Sequence, residues 1–169
     1  MPGPIGSGMM RQMSAVSEVD SEYDYLVKMI PHHREAIRTA RILRERSDRE
    51  KMQRFAEDII AAQSREIEQM QRWLDQWYPQ RSEEAEYEPM MRSLEGYSGG
   101  ELDRRFLEDM IPHHMAAVMM SQRLLRFQSI EHPAVKELAK SIRSSQLEEI
   151  RRMSSWLSDW YPEAEISVP

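Results

Sequence analysis

The chain has 169 residues, of which 40% are hydrophobic and 31% charged, enough apolar material for one core of ordinary size. A formal net charge of -6 argues against a nucleic-acid partner, because phosphate binding needs a basic surface. The lack of cysteine excludes disulfides, thiolate metal sites and cysteine nucleophiles, and no apolar run reaches the roughly 18 residues of a membrane span.

Residues 1–19 read as a flexible tail rich in Gly, Pro and Met. They lack the basic stretch and apolar run of an intact signal peptide. Met9, Met10 and Met13 are soft thioethers, but in such a tail they read first as disordered. A first helix runs from about Asp20 to Arg46. Ser47 and Asp48 are suited to cap a second, which ends near Tyr78 and Pro79. Residues 80–100 form an acidic linker with room for one short helix. A third helix extends to about Phe127, and Pro133 opens a fourth that stops at Tyr161 and Pro162. Residues 163–169 are a second tail.

These four helices are one hairpin written twice. MIPHH occurs at 29–33 and again at 110–114, an offset of 81. Gln63, Glu66, Ile67, Met70, Trp73, Leu74, Trp77, Tyr78 and Pro79 recur as Gln146, Glu149, Ile150, Met153, Trp156, Leu157, Trp160, Tyr161 and Pro162, an offset of 83. Short turns make each pair antiparallel. Two amphipathic hairpins bury their stripes best against each other, so the expected fold is an all-α four-helix bundle over 20–162 with pseudo-twofold symmetry, built from hairpins 20–79 and 101–162.

At about 100° per residue, Leu26, Met29, His33, Ala36, Ala40 and Leu43 share one face of the first helix. Leu107, Met110, His114, Ala117, Ser121 and Leu124 repeat it on the third. His32 and His113 flank these stripes, and Met120 lies two turns after His113. Met52, Ala56, Ile59, Gln63, Ile67, Met70 and Leu74 line the second helix, with Glu66 beside them. Ile142, Gln146, Ile150, Met153 and Leu157 line the fourth, beside Glu149. The core therefore carries a polar belt of four His, two Glu and two Gln. A buried polar group without a partner costs roughly 1–3 kcal/mol, so hydrogen bonds, water or a metal must satisfy the belt.

Two readings of the belt compete. One is a closed hydrogen-bond network. The other is a metal centre using Met29, His32, His33, Glu66, Met70, Met110, His113, His114, Met120, Glu149 and Met153. Met29 and His33 are four apart on a helix, as are Met110 and His114, so each pair reaches one point. Met120 can join Met110 and His113 at one ion. Imidazole with thioether and no thiolate suits copper, Cu(I) or Cu(II), better than zinc, with other transition metals as alternatives. Pro31 and Pro112 either restart each helix or kink it to aim the His pair. The Trp pairs Trp73/Trp77 and Trp156/Trp160 read as packing, and Arg38, Arg41, Arg44 and Arg46 as a solvated face. His132 carries no assigned role.

Each half resembles domain of unknown function family 305. Its motif is matched by Asp103, Phe106, Met110, Ile111, His113, His114, Ala117, Val118 and Met120, and by Glu22, Tyr25, Met29, Ile30, His32, His33, Ala36 and Ile37, followed by the Gln–Glu–Ile–Met–Trp–Leu helix. The resemblance covers about 20–79 and 101–162. It implies a ferritin-like fold and kinship with exported bacterial copper-binding proteins of the CopM type. It also implies a periplasmic or otherwise extracytoplasmic location. Thr39 stands where the family pattern has Met, so the first copy lacks one candidate ligand. The expected function is copper sequestration or transfer, with a metal ion as partner and no catalysis. The rivals are a di-iron-type oxidase, which would want Glu-x-x-His on two helices that these sequences lack, and a metal-free interaction module with structural histidines.

Overall fold

The computed structural model describes residues 19–80, 86–126 and 130–165. Helix α1 is Glu22–Arg46, α2 Glu50–Trp77, α3 Gly99–Arg126 and α4 Pro133–Trp160, followed by a 3-10 turn at Pro162–Glu165. α1 packs on α2, α3 packs on α4, and the two hairpins meet chiefly through α1 and α3. The bond between the Tyr25 and Ser121 hydroxyls (2.7 Å) and the stacking of His32 on His113 set α1 and α3 antiparallel. The result is a four-helix bundle, and none of these helices is long and apolar enough to cross a membrane.

Local sequence sets the helix ends. Ser21 caps α1 by accepting the Asp24 amide proton at 3.1 Å, so the helix starts two residues later than the apolar periodicity suggests. Ser47 does not cap α2. Arg49 holds that position and makes no cap bond, since its side chain has no acceptor, while the Ser47 hydroxyl donates to Asp103 at 2.6 Å and accepts only the Arg49 amide at 3.2 Å. Pro133 opens α4 as expected. Pro31 and Pro112 lie inside continuous helices, so neither helix restarts there. Between 86 and 98 the linker has no helix; Gly96, at φ +82°, makes the turn before α3.

The first tail ends sooner than expected: Val19 is 1% exposed in the core, and its carbonyl accepts from Arg123. Met9, Met10, Met13 and Phe127 lie outside the described residues.

The stripes read from periodicity are buried, apart from Ile67, Leu74, Ile150 and Leu157, which are half-buried. The apolar core falls into two clusters, one at each end of the bundle. One joins the start of α1, the end of α2, the end of α3 and the start of α4, with Met29, Met70, Trp73, Met120 and Ile142. The other joins the opposite ends, with Leu43, Met52, Phe55, Met110 and Met153. The belt residues His32, His33, Gln63, His113, His114 and Gln146 are buried and belong to neither cluster.

Candidate metal centre

The four imidazoles sit on α1 and α3, the two central helices, and are at most 1% exposed. His32 and His113 lie at the pseudo-twofold centre, their rings stacked at 3.7 Å and 11°. His32 donates from Nε2 to the His113 carbonyl at 2.8 Å. His33 donates from Nε2 to Glu66 of α2 at 3.1 Å, and His114 to Glu149 of α4 at 2.8 Å. These two bonds are the same bond drawn twice.

His113 has a different partner, which periodicity did not reveal. Its Nε2 is 3.2 Å from Glu35 and 3.5 Å from the Tyr87 hydroxyl. Tyr87 gives its proton to Glu35, so its oxygen can accept from His113. Glu35 is 3% exposed and also accepts the Met90 and Met91 amides at 3.0 to 3.3 Å. An acidic residue at i+3 from His32 was legible as a letter; that the linker would fold back onto it was not.

Carbonyls and carboxylates only accept, so each of these contacts places the ring proton on Nε2. The other nitrogen, Nδ1, then bears a lone pair. Among the described residues, the buried side-chain N and O atoms without a hydrogen-bond partner are Nδ1 of His32, His33, His113 and His114, together with Oε1 of Gln63 and Gln146. All six belong to the belt. Burial, then the charges of neighbouring histidines, holds His32 and His113 well below the usual imidazole range, so both are neutral near pH 7. An imidazole fixed through one nitrogen by a carboxylate or carbonyl, with the other nitrogen free, is the usual posture of a metal-binding histidine. The donor set fits a metal by this test.

The expected site residues are all placed in or beside the belt, but not at one point. Glu66 and Glu149 reach His33 and His114 through Nε2, as orienting partners. Met29 and Met70 lie in one apolar cluster, Met110 and Met153 in the other. Met120 does not join Met110: α3 runs back along α1, so the nearly three turns from Met110 carry Met120 into the cluster of Met29 and Met70. Arg46 is also not merely solvated, since it binds the Leu94 and Tyr97 carbonyls of the linker.

Among the described residues, three His, Asp or Glu side chains bring ligand atoms within 4.8 Å of one another only at Glu22, Glu131 and His132. There the Glu22 carboxylate already accepts the Glu131 and His132 amides, the Tyr78 hydroxyl and His132 Nδ1. Trp77 stacks on the His132 ring at 3.6 Å. With its acceptor positions used, this cluster reads as a clasp between α1 and the α3–α4 turn.

No curated protein matches the chain. A structure of CopM in the Cu(I)-bound form is 31% identical, with a TM-score of 0.75, covering 83% of this chain and 98% of that one. CopM co-crystallised with silver is 32% identical, TM-score 0.73, with the same coverage. A candidate secreted protein of the family from Streptomyces coelicolor is 27% identical, TM-score 0.71, covering 83% and 92%. The sequence profile of the domain of unknown function DUF305 matches residues 22–157. With its duplicated MIPHH hairpin and that match along most of its length, the chain belongs to the DUF305 family.

Proposed function

We propose that this protein binds copper, for sequestration or handover in the bacterial cell envelope, and that it works as a metal carrier and not as an enzyme. The observation that carries this reading is the set of four buried imidazoles whose Nδ1 atoms have no partner, flanked by clusters holding buried methionines. Imidazole Nδ1 and thioether sulfur are the ligands: Met29 and Met70 with His33, Met110 and Met153 with His114, Met120 toward the first of these ends. His32 and His113 add two lone pairs at the centre. Glu66 and Glu149 orient rings. Thioethers favour Cu(I), and imidazoles tolerate both copper states. Support comes from relatives crystallised with Cu(I), Ag and Cu(II). The extracytoplasmic location is supported by the candidate secreted relative.

Ligand binding to the native state raises stability by mass action, about 2.7 kcal/mol at 100 times Kd. Cu(I) and Ag(I) are expected to raise the melting temperature well above the shift given by Zn(II). Equal shifts for all three ions, or none, would overturn the copper assignment. Aerobic Fe(II) is expected to oxidise no faster than in buffer; a catalytic rate would revive the oxidase reading.

A further inference from the structure

Among the described residues, Glu35 is the one belt-contacting acid without a twin. The duplication puts Ala116 at the equivalent place on α3. His32 therefore has no carboxylate and uses the His113 carbonyl, whereas His113 faces Glu35 and Tyr87. Three segments converge on this carboxylate: α1 carries it, α3 presents His113, and the linker brings Tyr87, Met90 and Met91. An ionised carboxylate offers about four acceptor positions, and here they are all engaged. The linker is also fastened to α3, where Asp109 binds the Arg92 amide at 2.8 Å and its guanidinium at 2.9 Å.

We infer that Glu35 is a positioning residue for His113 and the mechanical link between the metal belt and the linker. This rests on the proposal that His113 ligates through Nδ1. Glu35 and Tyr87 hold the Nε2 proton and so fix the lone pair on Nδ1. A cation on Nδ1 draws electron density from the ring and makes the Nε2 proton a stronger donor. The pull on Glu35 rises, and with it the order of the backbone that Glu35 grips. Loading thereby tightens residues 87–91. That segment is the surface that differs between empty and filled protein, the difference a partner could read. The second hairpin has no such device, since alanine can accept nothing.

The test uses Ag(I), a closed-shell stand-in for Cu(I), on the full chain. In the unsubstituted protein, Ag(I) is expected to slow hydrogen exchange at the Met90 and Met91 amides. Glu35→Ala is expected to lower Ag(I) affinity about tenfold or more, as loss of a ligand-orienting partner does, and to abolish that slowing. Glu35→Gln keeps an oxygen that accepts the Nε2 proton, so it is expected to recover most of the affinity. Nitrogen-15 shifts should keep His113 as the Nε2–H form in Glu35→Gln and release a tautomer mixture in Glu35→Ala. A general packing role for Glu35 would lower the melting temperature and leave the tautomer alone. Should the unsubstituted protein bind no Ag(I), the belt reading falls and this inference with it. If it binds, and Glu35→Ala binds equally well or exchange at 90 and 91 ignores Ag(I), only the role of Glu35 is overturned.

Discussion

The two hairpins are alike in their internal packing and unlike at their ends and where the linker meets them. Across the pseudo-twofold, His33–Glu66 and His114–Glu149 repeat bond for bond, and the Trp pairs stack at 5.4 and 5.5 Å. At the two ends the same clasp is made from different chemistry. One uses Glu22, His132 and Trp77; the other uses Asp103, Arg49 and Trp160, with the Arg49 guanidinium 4.0 Å over the indole. Arg49 and His132 are counterparts under the 83-residue offset. The clasp position thus wants a planar nitrogen donor on a tryptophan beside an acid, which gives His132 a structural role. Along the side, a single linker cannot obey a twofold axis. It lies against α1, and Glu35 and Thr39 replace Ala116 and Met120 there. Duplication preserved the packing inside each hairpin and left the ends and the linker face free to diverge.

The largest expected effect concerns the centre of symmetry, common to both halves. The folded values of His32 and His113 lie below the unfolded imidazole value near 6.5. A depressed value means the unfolded chain takes up protons first. Their stabilising contribution is complete above pH 6.5 and is lost as pH falls below it. Each histidine adds a slope of up to about 1.4 kcal/mol per pH unit, so the pair adds about 2.7. Denaturant unfolding of metal-free protein from pH 7.5 to 5 should show this decline. A flat profile would mean that the central rings are not buried and neutral.

Much of this was legible in the sequence. The stripe from Leu26 to Leu43 and its copy from Leu107 to Leu124 are buried because helix periodicity and apolar burial are local facts. The repeat announced the twofold, and the belt followed from His and Gln on those stripes. What could not be read was long-range. Glu35 looks like a surface glutamate until the linker returns to it, and Ser47 looks like a cap until Asp103 claims its hydroxyl. Met120 looks like a companion of Met110 until the antiparallel crossing of α1 and α3 assigns it to the opposite end.

That reassignment gives the next test. Met120→Thr removes a buried thioether from the cluster of Met29 and Met70. A loss of about 2–3 kcal/mol is expected from the cavity and the buried hydroxyl. Ag(I) affinity should fall at that end, while Met110 and Met153 bind as before. Sulfur-selective NMR shifts of labelled methionine methyls on silver titration would tell which end weakened. Weakening confined to Met110 and Met153 would restore the pairing read from the sequence.

The ends should respond less, and unequally. Burial pushes the Glu22 carboxyl up, yet hydrogen bonds from Tyr78 and His132, with the His132 charge, hold it below its ordinary value. At Asp103 burial prevails over Ser47 and Arg49 and raises it. A lowered acid is stabilising above its unfolded value and a raised one is not. Glu22→Gln is therefore expected to cost roughly 1–2 kcal/mol at pH 7, where it weakens charge-assisted bonds. Asp103→Asn should fall within about 0.5 kcal/mol of zero. Paired urea melts of the two variants decide; equal losses would show the clasps to be equivalent in energy as well as in geometry.

The smallest effect expected is at Thr39, the position where the linker broke the symmetry. Thr39 is nearly buried, and its hydroxyl donates to the Glu35 carbonyl one turn back at 2.9 Å. It lines a groove of about 540 Å³ between α1 and the linker, together with Ile42, Pro89, Met91 and Leu94. Replacing it with methionine removes one local hydrogen bond and lengthens the side chain by a net single heavy atom, in a space with room for it. Methionine favours helix over threonine by a few tenths of a kcal/mol, so the balance should stay within about 0.5 kcal/mol. If position 39 were the true counterpart of Met120, the new thioether would serve Met110 and Met153, and Ag(I) affinity at that end would rise severalfold. The linker argues otherwise, because its residues 89 and 91–95 line the side of α1 that carries Thr39, whereas Met120 is buried in the core. Thr39→Met should therefore leave Ag(I) affinity unchanged within twofold, read by competition against a silver chelator. A rise of tenfold would mean that symmetry outweighs the linker, and that the two ends of the bundle differ by one methionine alone.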